Sequence, residues 1–500
     1  MTDGQQVINQ RVSGILLHPT SLPGPYGVGD LGSAAYRFVD FLAAAGQRRW
    51  QILPLGPPGY GNSPYQSISS MAGNPLLISL DALAADGWIS PDDLREAPSF
   101  PREFVNFPEV RRFKYQLLRK AAAVFHLAHG GDQGPEFEAF CHEKKFWLDK
   151  FAEFMTAKDA TDGEVWTHWQ APRLSSENER AEHQFIQFEF FRQWRRLKMY
   201  CNQKGIEIIG DIPIFVAHDS ADVWSHPHLF DLDHDGNPRT IAGVPPDYFS
   251  ATGQCWGNPL YRWERMADTG YTWWIERVRA ALELVDWVRL DHFRGFEQYY
   301  EIPGGATTAV KGRWMPGPGD ALFTALTKAL GKLPFLAEDL GMITPEVEAL
   351  RDRWEFPGMV ILQFAFDDDP RNRFKPYNHV ENCVVYTGTH DNDTIVGWLT
   401  GSGEESTRSA ESLHSERQRA LRYVNSDRRA VHWDFIRTAL MSVANTAIIP
   451  LQDALGLGSE ARMNLPGRSG DFWRWRALDE QLTPALAERL RTITELYGRG

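Results

Sequence analysis

Four carboxylate residues of this 500-residue chain each come at or near the end of a short apolar run, a position that favours a role in chemistry. They are Asp211, Asp291, Glu338 and Asp391. A charge that follows an apolar strand is costly to bury unless it is paired or functional. If the runs are parallel strands of one barrel, their carboxyl ends open on one face and the four acids converge there. A single such acid is usually structural, but four at one face indicate a site.

Two of these acids have neighbours that would push their pKa values apart. Arg289 lies two residues before Asp291, so both side chains point to one face and the guanidinium would keep the pKa of Asp291 low. Glu338 lies among apolar neighbours in FLAEDL, which would raise its pKa and keep it protonated. A nucleophile beside a protonated acid cleaves glycosidic bonds with retention, through a covalent glycosyl-enzyme. Asp391, beside His390, could then bind sugar hydroxyls and favour the distorted ring.

Eight short apolar runs, separated by helical periodicity, predict the strands that position these acids. The runs are 14–20, 50–55, 206–214, 286–293, 334–340, 359–366, 383–390 and 446–453. Eight strands with intervening helices predict an α/β fold, a (β/α)8 TIM barrel with inserted subdomains, as a single catalytic domain over residues 1–500. The alternation alone would also fit an open doubly wound sheet.

Two intervals are too long for simple connections between strands. Residues 56–205 are expected to form a mainly helical insertion, because 109–155 have a helical, charged pattern. A second insertion is expected over 217–270, where the proline- and aromatic-rich stretch 243–261 would form a loop that covers the active site. The polar stretch 401–418 is expected to be an exposed loop that runs into a helix.

Two motifs imitate ligand sites, and their surroundings argue against both. GVGDLG (27–32) matches a dinucleotide-binding pattern, but it does not follow a strand directly, and the next strand ends without an acid to bind a ribose. A glycine-rich surface loop is expected there, and a nucleotide-dependent oxidoreductase is excluded. DLDHDG (231–236) imitates a calcium loop, but Ala242 stands where a bidentate Glu is needed, so a polar hairpin turn is expected.

Composition and charge exclude several partners. The chain has 52 Lys plus Arg and 65 Asp plus Glu, and its formal net charge of −13 disfavours binding to nucleic acid. The N-terminus has no secretory signal, and no run of about 18 apolar residues offers a membrane span. The four cysteines form no CxxC pair, which favours reduced thiols in a cytoplasmic protein.

Several runs of sequence resemble a known family. RLDHFRGF, AEDLG and GTHDND, which contain three of the acids, resemble the signatures of the α-amylase superfamily. HPTSLPGPYGVGDLG, LPLGPPGYGNSPYQ, GDIPIFVAHDSADVW, AGVPPDYFSATGQCWGNPLY and NLPG resemble the amylomaltase (4-α-glucanotransferase) family. The matching runs extend from residue 14 to about residue 467. Because the chain begins directly at the barrel, it resembles the compact form of the family, without the N-terminal extension of some members.

The resemblance implies roles for individual residues. It makes Asp291 the nucleophile, Glu338 the acid/base and Asp391 the transition-state stabiliser. It also implies a set of sugar-binding residues: Asp211, Arg289 and His390 on the donor side, Tyr65 as a stacking platform with Ser63 nearby, Gln254 and Trp256 on a loop over the cleft, and Asn464 on the acceptor side. For the two aromatic residues, ordinary core packing is the alternative.

The sequence also raises expectations for His292 and for the run 470–476. His292 should point away from the face of Asp291 and is expected to give structural support. The run GDFWRWR (470–476) stands where the family has a simpler Gly-Asn-Trp run, which leaves the outer sugar contacts open.

The resemblance implies disproportionation of α-1,4-glucans, in which a segment of one maltooligosaccharide passes to the enzyme and then to the 4-hydroxyl of another. A hydrolase of the α-amylase type is the alternative, since the same carboxylates can activate water. A glucan-binding protein on an inactive barrel is a second one. The mechanism requires no metal or organic cofactor, so none is expected. Glucans are the expected partners of a monomer or small homo-oligomer that binds neither nucleic acid nor membrane.

Overall fold

The computed structural model describes residues 10–169, 176–246, 250–401, 409–468 and 470–500. Its strands, numbered along the chain, are β1 (Val12–Leu16), β2 (Arg49–Gln51), β3 (Glu207–Pro213), β4 (Thr240–Val244), β5 (Gln254–Pro259), β6 (Trp287–Asp291), β7 (Gln298–Pro303), β8 (Arg313–Pro316), β9 (Phe335–Ala337), β10 (Gly358–Ile361), β11 (Cys383–Tyr386) and β12 (Thr446–Pro450). Its α-helices are α1 (Ser33–Ala44), α2 (Leu80–Ala85), α3 (Pro91–Arg95), α4 (Phe107–Leu127), α5 (Gly134–Glu143), α6 (Lys145–Ala160), α7 (Glu177–Gln203), α8 (Ala221–Ser225), α9 (Trp263–Asp268), α10 (Thr272–Leu284), α11 (Gly319–Leu330), α12 (Pro345–Arg353), α13 (Ile395–Thr400), α14 (Ala410–Tyr423), α15 (Val431–Met441), α16 (Leu451–Leu455) and α17 (Pro484–Leu496).

Eight strands form one parallel sheet that follows the chain around a barrel. Their order is β10-β11-β12-β1-β2-β3-β6-β9, and every paired neighbour is parallel. The two ends of the sheet meet, because the amide of Ala337 donates to the carbonyl of Pro357 at 2.9 Å. Each of these strands overlaps one of the eight predicted apolar runs. The predicted (β/α)8 barrel is therefore confirmed, and the open doubly wound sheet is excluded.

A buried carboxylate fastens the seam between β9 and β10. Asp339 has a fully buried side chain and accepts a hydrogen bond from the amide of Met359 at 2.8 Å. Arg373 pairs with the same carboxylate at 2.7 Å, and Arg351 pairs with it as well. The side chain of Asp339 thus joins both strands at the point where the sheet closes, one residue after Glu338.

Removal of this carboxylate should destabilise the barrel. The Asp339→Ala variant leaves two partly buried guanidinium groups and a buried amide without their partner, so we expect the free energy of unfolding to fall by about 3 kcal/mol. Denaturant unfolding followed by tryptophan fluorescence measures this loss. Asp352→Ala is the control, because Asp352 pairs with Arg351 at the surface and its side chain is 64% exposed. This variant should lower the free energy of unfolding by less than about 1 kcal/mol. Equal losses in the two variants would contradict the role of Asp339.

Helices α2–α7 lie between β2 and β3 and pack onto the barrel. Phe125 of α4 and Phe185, Phe188 and Trp194 of α7 are buried in the same apolar core as Ile15 of β1. The helices and the barrel therefore share one continuous core. That residues 56–205 form a separate inserted subdomain remains a prediction.

A second sheet, which sequence analysis did not predict, lies beside the barrel. It is antiparallel with the order β5-β4-β7-β8. The stretch 243–261, expected as a covering loop, contributes part of β4 and all of β5, while residues 247–249 lie outside the described residues. Because β7 and β8 come from after β6, the sheet combines two connections of the barrel. Short strands that pair over such a distance carry little local signal.

The two motifs that imitate ligand sites have different outcomes. The prediction of a surface loop at GVGDLG is wrong, because Val28 is fully buried and Asp30 is only 5% exposed. The carboxylate of Asp30 accepts from the amide of Gly32 at 2.9 Å and lies 3.5 Å from the buried ammonium of Lys114 in α4. The hairpin turn expected at DLDHDG is confirmed, since the amide of Asp233 donates to the carbonyl of Asn237 at 2.8 Å.

Three remaining expectations concern the rest of the chain. Of the stretch 401–418, residues 402–408 lie outside the described residues, and α14 begins at Ala410. Among the helices of the described ranges, none has the length and apolar character that crossing a bilayer requires. The four cysteines all carry free thiols.

Candidate active site

The four carboxylates of the sequence analysis lie at the carboxyl ends of barrel strands. Asp211 is in β3, Asp291 ends β6 and Glu338 directly follows β9, while Asp391 lies in the loop after β11. In the register of β3 and β6, Asp211 pairs with Arg289. The parallel order of the strands thus brings residues that are distant in sequence to one end of the barrel.

Arg289 holds two of the carboxylates. Its Nη1 donates to Asp211 Oδ2 at 2.7 Å and to Asp291 Oδ1 at 2.9 Å. The side chain of Asp211 is fully buried, whereas that of Asp291 is 25% exposed. Burial raises the pKa of Asp211 to about 6, with Asp291 adding to the rise and Arg289 opposing it. The hydroxyl of Tyr65 also donates to Asp211, at 2.8 Å. Asp291 is therefore the carboxylate of this pair that reaches the open end of the barrel.

Glu338 is held by backbone donors beside this pair. Its Oε2 accepts from the amide of His292 at 2.7 Å, and its Oε1 accepts from the amide of Leu340 at 3.0 Å. Burial raises the pKa of Glu338 to about 8, and the nearby Asp291 adds to the rise, while Arg289 and the two amides oppose it. The carboxyl group is therefore mostly protonated at neutral pH.

His292 supports Glu338 through its backbone. Its φ of 50° is left-handed, so the alternation of the strand ends at Asp291 and does not fix the direction of the His292 side chain. The imidazole meets the ring of Trp256 edge-on, with 4.8 Å between ring centroids. The structural support expected of His292 is thus given by its amide to Glu338 and by its ring to Trp256.

Asp391 is oriented by side chains from two loops. Asn464 Nδ2 donates to Asp391 Oδ1 at 2.6 Å, and His390 Nε2 lies 3.3 Å from Asp391 Oδ2. Arg462 donates to the backbone carbonyl of Asp391 at 3.0 Å. Burial would raise the pKa of Asp391, but His390 and Asn464 outweigh it and hold that pKa well below its usual range. Asn464, assigned by resemblance to acceptor sugars, contacts a carboxylate of the site itself.

Aromatic rings pack beside these carboxylates. The ring of Tyr65 stacks on His390 with 5.0 Å between centroids and 18° between planes. Trp473 lies 5.9 Å from both rings and is 7% exposed. Sequence analysis did not single out Trp473, because the run 470–476 was expected to affect only outer contacts. No spacing in the sequence predicts this position; the only signal is the departure of the run from the family pattern.

Trp256 connects β5 to the residue that follows Asp291. Its indole N–H donates to Gln254 Oε1 at 3.1 Å, and its carbonyl accepts from Gln66 at 3.3 Å. Ser63 lies two residues from Tyr65 and accepts a hydrogen bond from its amide at 3.2 Å. These contacts place the predicted sugar-binding residues around the carboxylates, while their roles toward sugar remain predictions.

Groups with the composition of a cation site lie elsewhere in the described part of the chain. They are Asp159, Glu182 and His183, and the exposed turn Asp233, His234 and Asp235. Arg119 pairs with both carboxylates of the first group, at 2.8 Å and 3.1 Å. A guanidinium therefore already supplies the positive charge that these acids attract.

An eight-stranded parallel barrel with paired carboxylates at the carboxyl ends of its strands is typical of barrel enzymes that act on glycosidic bonds. The sequence model of the 4-alpha-glucanotransferase family matches residues 17–481, and the chain belongs to this family. The family resemblance found in the sequence is thereby confirmed.

Individual relatives match over almost their whole length. The chain is 50% identical to a 4-alpha-glucanotransferase of Synechocystis sp. over 509 residues, which covers 99% of each. It is 49% identical to a 4-alpha-glucanotransferase of Thermus thermophilus over 504 residues, 98% of this chain and 99% of the relative. The solved amylomaltase from Streptococcus agalactiae in complex with acarbose has a TM-score of 0.93 and 38% identity, and the match covers 98% of this chain and 100% of that one.

Proposed function

We propose that this protein transfers α-1,4-glucan segments between maltooligosaccharides, as a 4-α-glucanotransferase with a retaining double-displacement mechanism. The observation that carries the proposal is the pairing of Asp291, bound to Arg289 at 2.9 Å, with Glu338, whose pKa burial raises to about 8. A carboxylate and a protonated carboxyl group are the two groups that this chemistry requires. Family membership and the names of the relatives support the substrate class.

In the first step, Asp291 attacks the anomeric carbon of the donor glucan. Glu338 gives its proton to the oxygen of the scissile bond, so the departing sugar leaves as a neutral alcohol. The product is a glycosyl ester of Asp291, and the guanidinium of Arg289 remains paired with Asp211. Asp391, held by His390 and Asn464, binds sugar hydroxyls and stabilises the oxocarbenium-like transition state.

In the second step, Glu338 takes the proton of an acceptor 4-hydroxyl while that oxygen attacks the anomeric carbon and displaces Asp291. Formation of the ester removes the negative charge of Asp291, which is one of the two causes that raise the pKa of Glu338. The pKa of Glu338 should therefore fall once the intermediate forms, which suits its change from acid to base.

The pH dependence of activity should report the acid form of Glu338. Since the first step needs the protonated carboxyl group, kcat/KM for a maltotriose donor should fall above pH 8, by about tenfold per pH unit. Initial rates between pH 6 and pH 10 measure the profile, and tryptophan fluorescence at each pH checks that the protein stays folded. A constant kcat/KM up to pH 10 in folded protein would show that Glu338 is not the acid.

Trp256 should favour sugar over water as the acceptor. Its ring lies against His292, next to Asp291, and we expect it to hold the acceptor and to limit access of water. In Trp256→Ala, the ratio of hydrolysis to transfer should rise on the order of tenfold. Reducing ends and the oligosaccharide ladder together measure the ratio. Trp314→Ala, in the opposite edge strand of the same sheet, is the control; an unchanged ratio in Trp256→Ala would exclude the covering role.

Incubation with pure maltotriose separates the proposal from its alternatives. Longer oligosaccharides together with glucose, at constant total reducing ends, are expected. A steady rise in reducing ends with only shorter products would identify a hydrolase of the α-amylase type. Binding of maltotriose or longer maltooligosaccharides without any turnover would identify a glucan-binding protein on an inactive barrel.

We also propose a cytoplasmic location and action as a monomer or small homo-oligomer on maltooligosaccharides. The free thiols of all four cysteines support a reducing compartment. The net charge of −13 supports the absence of a nucleic-acid partner. Sedimentation at micromolar concentration measures the size of the assembly directly.

A further inference from the structure

Two buried histidines near the carboxyl ends of barrel strands each have a ring nitrogen without a protein partner. His18 lies two residues after β1, and His390 lies in the loop after β11; they are 7% and 5% exposed. The Nδ1 atom of each ring is buried and makes no hydrogen bond to the described residues. A buried polar atom without a partner destabilises the folded protein, because it has lost its hydrogen bonds to water. Two such atoms therefore call for a partner that the protein itself does not supply.

Both rings line the same small cavity. Its volume is about 20 Å³, and Ser21, Thr389 and Gln452 are also in its wall. One water needs roughly 10–15 Å³ of such space and two to four polar partners. The cavity therefore has the size and the polar groups to hold one water.

We propose that a single buried water in this cavity bridges Nδ1 of His18 and Nδ1 of His390, and that His18 is thereby a positioning residue for the transfer reaction. Burial and, to a lesser extent, the neighbouring His390 lower the pKa of His18 to about 3, so the imidazole of His18 is neutral and can accept. The water donates one hydrogen bond to Nδ1 of His18, and its other hydrogen and its oxygen are available to Nδ1 of His390 and to the polar groups of the wall.

The water would hold the ring of His390 in the orientation that faces Asp391. Because water can both donate and accept a hydrogen bond, it satisfies Nδ1 of His390 whether or not that atom carries a hydrogen. Nε2 lies 3.3 Å from Asp391 Oδ2, so an N–H at Nε2 faces the carboxylate while the water holds the opposite nitrogen. Without the water the ring loses this hold, and with it the orientation of Asp391. His18 therefore acts on Asp391 through the water and His390.

Substitutions of His18 separate positioning from packing. His18→Leu removes the acceptor, and kcat for maltotriose disproportionation should fall by roughly 3- to 10-fold with KM changed less than about twofold. His18→Asn keeps a polar atom near the place of Nδ1 and should restore kcat to within about twofold. Leu17→Met changes the apolar wall of the same cavity and should leave both constants unchanged.

A high-resolution crystal structure tests the water itself. In the wild type, ordered density within about 3.2 Å of both Nδ1 atoms is expected, and in His18→Leu it should be lost. A dry cavity in the wild type, an unchanged kcat in His18→Leu, or a His18→Asn variant as impaired as His18→Leu would each overturn the inference.

The inference rests on the proposed role of Asp391. One variant distinguishes a failure of that role from a failure of the positioning role of His18. Asp391→Asn should abolish turnover if that role is correct. If it remains active, the proposed function of Asp391 fails, and the crystal structure still decides on the water. If it is inactive while His18→Leu has wild-type kcat, only the positioning role of His18 fails.

Discussion

Asp291→Asn should reduce glucan transfer by at least about 10⁴-fold, the scale of loss seen when a catalytic nucleophile is removed. The amide is isosteric with the carboxylate but cannot form the glycosyl ester on which both steps depend. Arg289 remains paired with the buried Asp211 at 2.7 Å, so we expect the fold to be preserved. Discontinuous assays with maltotriose measure the residual rate.

The control for this variant is Asp368→Asn. Asp368 is a surface carboxylate with an 86% exposed side chain that pairs with an arginine, as Asp291 does. The Asp368→Asn variant should keep the transfer rate within about twofold of the wild type, because surface ion pairs contribute little to stability. If Asp291→Asn retained more than about a tenth of the wild-type rate, another group would have to be the nucleophile.

Glu338→Gln should show the second largest loss, about 10²- to 10⁴-fold in kcat/KM with maltotriose. Glutamine can neither give a proton to the scissile oxygen nor take one from the acceptor. It can accept from only one of the amides of His292 and Leu340, so thermal unfolding should be measured alongside activity. A loss of activity with an unchanged unfolding temperature assigns the effect to chemistry.

The donor used with Glu338→Gln distinguishes acid catalysis from a loss of binding. α-Maltosyl fluoride has a leaving group that needs no proton, so the first step should recover while the second remains slow. We expect a burst of fluoride release that matches the amount of enzyme, followed by a slow phase. A variant equally slow with both donors and without a burst would show that Glu338 does not act as the acid.

The barrel strands could be predicted from sequence because their signals are local. β12 and β11 are fully buried strands, and such apolar runs are visible without knowledge of their partners. The common face of Arg289 and Asp291 follows from the period of two in a strand, and the structure brings them within 2.9 Å. The raised pKa of Glu338 likewise follows from the apolar residues around it.

The parts that could not be predicted depend on contacts between distant residues. Asn464 reaches Asp391 from 73 residues away, through a loop without periodicity. Trp473, beside Tyr65, comes from a run of mixed aromatic and charged residues whose direction no local rule fixes. The burial of Asp30 depends on Lys114, which approaches it from a helix of the stretch between β2 and β3. In each case the deciding partner lies on another element of the tertiary structure.

The measurement that tests the central claim most directly is the mass of the trapped intermediate. Glu338→Gln is mixed with α-maltosyl fluoride, quenched in acid during the slow phase, digested and mapped by mass spectrometry. The proposed mechanism predicts a maltosyl ester on the peptide that contains Asp291, and none after the same treatment of the Asp291→Asn, Glu338→Gln double variant. An adduct on a different residue, or fluoride release without any adduct, would contradict double displacement through Asp291.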